Sequence, residues 1–223
     1  MLGIIIILLI SWLLLWKIKA PDALGLNPNK QRTLHLATGI LLSAICCTVY
    51  HLASTTFSNN HWQLNKDFTF IIALNSCWWV LKSVLFEELV FRGALLYILS
   101  KKWGTFIACL VSAVSFGIYH WFSYNSFGNP VQMAIIFFMT GLFGYALAFA
   151  FVKLKSIYLP TSIHLGWNLF SIIVFSNGPL GQQLLVKVNN HKAEGIWSLI
   201  IFLFQVLAVP VFTILYVKKR VRS

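Results

Sequence analysis

The chain has 223 residues, of which 59% are hydrophobic and only 10% charged, with a mean hydropathy of +0.80. Soluble domains carry roughly 25% charged residues, so this composition excludes a soluble fold and leaves room for about seven membrane spans of ~20 residues. The net charge of +12 does not indicate a nucleic-acid partner, because the basic residues stand at segment ends instead of on one patch.

The first apolar segment, 2–16, is followed by Lys17 and Lys19. No positive residue precedes it and no small-residue cleavage site follows, so it is expected to be a retained span with its N-terminus outside, not a cleaved signal peptide. A polar loop with Pro21 and Pro28 leads to a second segment at 34–53, and another polar loop covers 54–66. The third apolar region, 68–99, is unusually long and reads either as one tilted or kinked crossing or as two short ones. Further segments follow at 103–122, 131–152, 157–175 and 196–217, with Pro210 expected to kink the last.

Loop charges bear on the parity. With 68–99 as a single crossing, twelve Lys and Arg fall on one side (Lys17, Lys19, Lys30, Arg32, Lys101, Lys102, Lys153, Lys155, Lys218, Lys219, Arg220 and Arg222). Three, Lys66, Lys187 and Lys192, fall on the other, and Lys82 and Arg92 lie inside the apolar region. The positive-inside rule then gives an all-α bundle of seven spans, N-terminus out and C-terminus cytoplasmic. The expectation is a single transmembrane domain over 1–223 with its chemistry in 81–170. No internal repeat or separate soluble domain is visible. Cys46, Cys47, Cys77 and Cys109 fall in apolar segments without metal spacing and read as small buried hydrophobes.

Only five residues are acidic, and two of them, Glu87 and Glu88, are adjacent in the apolar run Phe86-Glu87-Glu88-Leu89-Val90-Phe91-Arg92-Gly93. A carboxylate at mid-membrane costs about 2.5–3.5 kcal/mol on insertion scales, so the pair needs partners or a function. Glu88 and Arg92, four apart, share a helix face and can pair. Glu87 is turned by roughly 100° from Glu88 and needs a partner elsewhere.

His35, His51, His61 and His191 lie near segment ends or in loops, where histidine is ordinary. His120 and His164 lie inside apolar segments. His120 shares a face with Phe116, read as a packing residue, and His164 shares one with Asn168, in a helix whose first turn suits Pro160. Lys82 is expected to snorkel or to face a cavity. Three spans thus carry polar groups that lipid would reject, and one interior cavity satisfies them together. Counted from the cytoplasmic ends, Glu87 and Glu88 lie about 20 Å deep, His120 about 26 Å, Asn168 about 18 Å and His164 about 12 Å, a scatter wider than one site should show.

Such a set suits hydrolysis. A carboxylate and an imidazole can take a proton from one water, while a second imidazole and a carboxamide donate to the developing oxyanion. Glu87, His120 and His164 could alternatively hold a divalent metal such as zinc. H-E-x-x-H, G-x-S-x-G and a membrane aspartate pair are all absent.

Glu87-Glu88-x-x-x-Arg92, Phe116-x-x-x-His120 and His164-x-x-x-Asn168, in that order, resemble the three-motif signature of the CPBP family. That family joins CAAX prenyl-protein endopeptidases with bacterial homologues linked to bacteriocin processing and self-immunity. The resemblance covers about 81–170. It implies that Glu87 and His120 activate the water, that His164 and Asn168 form the oxyanion hole, and that Arg92 organises the first motif with Glu88. The family is often labelled metalloprotease, yet a glutamate-activated water needs no metal, so no cofactor is expected.

The expected function is therefore a multi-pass intramembrane endopeptidase of a bacterial inner (plasma) membrane. Its partners would be the lipid bilayer and a prenylated or membrane-associated peptide or membrane-protein substrate, with no nucleic acid. The first rival is a non-catalytic immunity or regulatory protein of the same fold. The second is a transporter or proton pathway, disfavoured by the lack of paired Gly/Pro-interrupted spans in two halves.

Overall fold

The computed structural model describes residues 2–176 and 181–222. Among these the protein is helical almost throughout. Helices α1 (Leu2–Lys17), α2 (Lys30–Thr56), α3 (Phe70–Arg92), α4 (Ala94–Ser123), α5 (Pro130–Leu154), α6 (Tyr158–Asn168) and α7 (Gly195–Arg222) follow one another, and a π-helical stretch, Leu169–Phe175, continues α6. Two three-residue strands, β1 (Trp62–Leu64) and β2 (Leu185–Lys187), pair antiparallel.

Among the described residues, four stretches are long and apolar enough to cross a membrane: Lys30–Thr56, Phe70–Ser123 (which holds both α3 and α4), Pro130–Leu154 and Gly195–Arg222. Helices α1 and α6 are shorter, at 16 and 11 residues. The outer surface is apolar, with Leu41 62%, Phe106 67% and Phe138 64% exposed. Such a surface is costly in water and matched to acyl chains, as an integral membrane protein requires.

Local chemistry fixes the helix starts. Asn29, Thr69 and Asn129 each accept a hydrogen bond from a first-turn amide of α2, α3 and α5, and Pro130 stands in the first turn of α5, where its missing N–H costs nothing.

Region 68–99, expected as one tilted or kinked crossing or as two short ones, is not one helix. Helix α3 stops at Arg92 because Gly93 adopts an extended conformation, with φ −82° and ψ −150°. A Cβ at 93 would collide with the Leu89 carbonyl, so glycine permits the sharp turn. A second break follows at Gly104, with φ 79°. Residues 94–103 therefore form a short helix between the two long rods.

Contacts sort the loops onto two faces. The Ile157 amide donates to the Leu24 carbonyl at 3.0 Å, and the Tyr158 hydroxyl donates to Leu26 at 3.0 Å, so the α1–α2 and α5–α6 loops lie together. Leu24, Ala94, Leu96 and Ile157 share one core cluster, which brings the short helix 94–103 to the same end. The rings of His35 and Tyr216 meet at 5.9 Å, which brings the end of α7 to the start of α2. This basic face carries all twelve clustered Lys and Arg. The strand ribbon joins the α2–α3 loop to the segment before α7 on the opposite face.

Close packing sets the register of α6 on α2. A Cβ on Gly39 would overlap Ser162, and one on Gly166 would overlap Ser43 and lie 2.7 Å from the Ile40 carbonyl. Small residues at such crossings let backbones approach in lipid. This contact fixes the height of His164.

Candidate active site

The six motif residues come from three helices and meet in the interior. Glu88 and Arg92 are paired within α3, with Oε1 and Nη1 3.1 Å apart and both side chains fully buried. Arg92 also donates to the Gly144 carbonyl of α5 at 3.4 Å and stacks its guanidinium 4.3 Å from the centre of the Phe116 ring. A Cβ on Gly144 would come within 2.9 Å of Phe116, so glycine gives Arg92 and Phe116 their space. Phe116 itself is 1% exposed and packs against both histidines, with centroid distances of 4.4 Å to His120 and 5.9 Å to His164. It is the packing residue that its position in the motif suggests.

Glu88 has a second partner that spacing did not disclose. His164 Nδ1 lies 2.7 Å from Glu88 Oε1. The carboxylate accepts, so Nδ1 carries the proton, and the ring is held with Nε2 turned toward Glu87 Oε2 at 3.8 Å. Glu88 thus ties α3 to α6 as well as to Arg92.

His120 is oriented in the same way by a different acceptor. Its Nδ1 lies 2.8 Å from the Phe116 carbonyl, which can only accept. The neutral ring therefore keeps its proton on Nδ1 and presents the Nε2 lone pair, 4.0 Å from Glu87 Oε2. That distance is too long for a direct hydrogen bond and suits one bridging water.

Glu87 is 7% exposed. Its Oε1 accepts from Ser83 at 3.1 Å, one turn earlier on α3, while Oε2 is buried without a hydrogen-bond donor among the described residues. An unsatisfied buried carboxylate oxygen is expensive, so Oε2 is suited to a water or a substrate group.

Two cavities meet at this cluster. The larger, about 700 Å³, has Glu87 and His164 at its floor and runs past Ser83 to Trp79, Ser123 and Ser176. The smaller, about 130 Å³, is bounded by Phe116, Met139, Phe143 and Val209 together with the polar Thr140 and Gln205. His120, His164 and Asn168 line both. The π-helical stretch after Asn168 puts Ser171 on the same wall, and π-turns of this kind recur at functional sites. Ser83, Gly144 and Gln205 escaped the sequence reading. Of these only Gln205 left a signal, a lone carboxamide in an apolar span.

The donor set of Glu87, His120 and His164 is chemically right for zinc, but the spacing is not. Tetrahedral ligands at ~2.0–2.2 Å from a zinc ion sit about 3.3 Å apart, whereas both Glu87-to-histidine separations are 3.8 Å or more. Among the described residues no group of three His, Cys, Asp or Glu is arranged to hold a metal ion. As placed, Glu87 lies farther from His120 and His164 than two ligands of one tetrahedral zinc ion would.

Residues 69–170 match the family described as Rce1-like, type II CAAX prenyl endopeptidase Rce1-like. That stretch contains all six motif residues and is just under half of the chain. No curated protein and no solved structure matches the chain.

Proposed function

We propose that this chain is a membrane-embedded endopeptidase of the CPBP family, a reading supported by the match over residues 69–170, and that it hydrolyses a peptide bond with water activated by Glu87 and His120. The observation that carries this reading is the pair of free acceptors, Glu87 Oε2 and His120 Nε2, facing each other at 4.0 Å across the end of a cavity. Both can accept from one water, which leaves its oxygen lone pair directed at a substrate carbonyl.

In this mechanism the water oxygen bonds to the carbonyl carbon and its proton passes to Glu87 or His120. The carbonyl oxygen takes the negative charge, stabilised by the Asn168 amide and by His164 Nε2–H. His164 already donates Nδ1–H to Glu88, so donation from Nε2 uses the doubly protonated ring. The charges then balance: Glu87 and Glu88 against Arg92 and the His164 imidazolium. Collapse of the tetrahedral intermediate breaks the C–N bond, and the stored proton goes to the leaving nitrogen, giving a carboxylic acid and an amine.

The substrate is a membrane-associated peptide or membrane protein, with prenylated C-termini the class that the family description suggests. The protein sits in a bacterial inner membrane as seven helical crossings, with its basic face in the cytoplasm. With α3 and residues 105–123 of α4 counted separately the long apolar stretches make five crossings, and α1 and α6 with its π continuation supply the other two.

Purified wild type and Glu87→Ala are compared on a prenylated reporter peptide and a peptide library, with metal analysis of the same samples. Wild type is expected to cleave at least ~10²-fold faster than the variant. Equal rates overturn the hydrolytic role, and stoichiometric zinc needed for activity overturns the metal-free mechanism.

A further inference from the structure

A pocket of about 230 Å³ lies between the last turns of α2 and the first turns of α7. On α7, Ser198, Phe202 and Gln205 follow one another at i, i+4 and i+7 and so share one face. On α2, Tyr50 and Ser54 share a face in the same way, and the segment before α7 adds Lys187 and Lys192. Gln205 also lines the smaller catalytic cavity, whereas the other described lining residues border neither catalytic cavity.

Two ammonium groups meet here without a carboxylate. Lys187 Nζ donates to Ser54 Oγ at 3.4 Å and stands 5.5 Å from the centre of the Trp62 ring. Among the described residues no acidic side chain comes within ion-pair distance of either lysine. Glu194, the nearest acid in sequence, borders a neighbouring hollow with His191 and Lys192 and does not line this pocket. Partial burial pushes the Lys187 pKa below its usual value, as expected of an ammonium with no anion beside it. An anion in the pocket would meet both cations and the hydroxyls of Ser54 and Ser198.

The pocket is graded from polar to apolar. Its lysines and serines lie at the loop end, and Phe202 lies one turn past Ser198, about 6 Å along α7. Phe202 belongs to an exposed apolar surface with Leu199 and Leu203. Near the same end Trp197 stacks on Phe57 at 4.0 Å, an aromatic pair of the kind found at membrane–water interfaces. Cations above an apolar helix surface match a phosphate above acyl chains. We propose that Lys187 and Lys192 hold the phosphate of an anionic phospholipid, with Ser54 and Ser198 donating to it and an acyl chain lying along Phe202. A zwitterionic phospholipid would bring a cation of its own against the two lysines, so the pocket selects the anionic headgroup. This site depends neither on which side of the membrane the ribbon face occupies nor on the chemistry of Glu87.

The full chain is reconstituted into phosphatidylcholine vesicles that contain a small fraction of phosphatidylglycerol with a photoactivatable acyl chain. Crosslinks are mapped by peptide mass spectrometry, and photoactivatable phosphatidylcholine serves as the reference lipid. The stretch around Phe202 is expected to take up phosphatidylglycerol roughly tenfold more than the reference lipid. The double variant Lys187→Gln, Lys192→Gln should lose that preference. The double variant Lys187→Arg, Lys192→Arg should keep it, which separates lost charge from a damaged fold. Equal labelling by the two lipids in wild type, or an unchanged preference in the glutamine variant, overturns the proposal. Loss of the labelling on adding inorganic phosphate, or a peptide with a free C-terminal carboxylate, also overturns it, because the pocket then takes a free anion or a peptide end.

Discussion

The two adjacent carboxylates, alike in chemistry and one residue apart, sit in opposite settings. Glu88 is sealed: fully buried, bonded to Arg92 and His164, under the ring of Phe116. Glu87 borders a cavity, holds one oxygen on Ser83 and keeps the other free opposite His120. The difference of about 100° in helical position is what divides them. A polar group in a membrane protein can be structural or chemical, and burial between Arg92 and His164 on one side against an oxygen that faces His120 at a cavity on the other tells the two apart.

This contrast can be broken from either side. The largest effect is expected for Arg92→Leu, which leaves Glu88 buried without its cation. Removing one partner of a buried ion pair costs about 3–5 kcal/mol, so thermal unfolding in detergent should show a collapse of stability and little folded protein. A melting temperature close to wild type would mean that Arg92 is not structural. His120→Ala should act on the open side, with at least ~10²-fold lower peptide hydrolysis, about 2.7 kcal/mol in barrier, and near-normal thermal stability. Loss of stability in place of rate would move His120 to the sealed side. Gly144→Ala should cost about 1–3 kcal/mol by pressing a methyl onto Phe116, detected as a lowered melting temperature. An unchanged melting temperature would show that the ring has room to shift.

The sequence made the helical segments and the Glu88–Arg92 pair legible because both depend on local periodicity. What periodicity could not supply was the height of one helix against another. Depths counted from helix ends scattered because those ends are not coplanar. Ser112 donates to the Phe91 carbonyl at 2.9 Å, although Phe91 is next to the end of α3 while Ser112 lies about 11 Å beyond the Gly104 break in α4. The His164–Glu88 contact stayed hidden for the same reason: it depends on the packing of Gly39 and Gly166 between α2 and α6. The strand ribbon was invisible because three residues give too little alternation to register. The break at Gly93 looked like one more glycine in an apolar run until its extended backbone placed Arg92 at a helix end.

The central claim is that Glu87 does chemistry and Glu88 holds the site together. The most direct test measures Glu87→Gln and Glu88→Gln side by side, each for hydrolysis rate and for thermal unfolding. Glu87→Gln should lose at least ~10²-fold in rate while unfolding near the wild-type temperature, and Glu88→Gln should unfold at a clearly lower temperature. A Glu87→Gln protein within tenfold of wild-type activity would contradict the account.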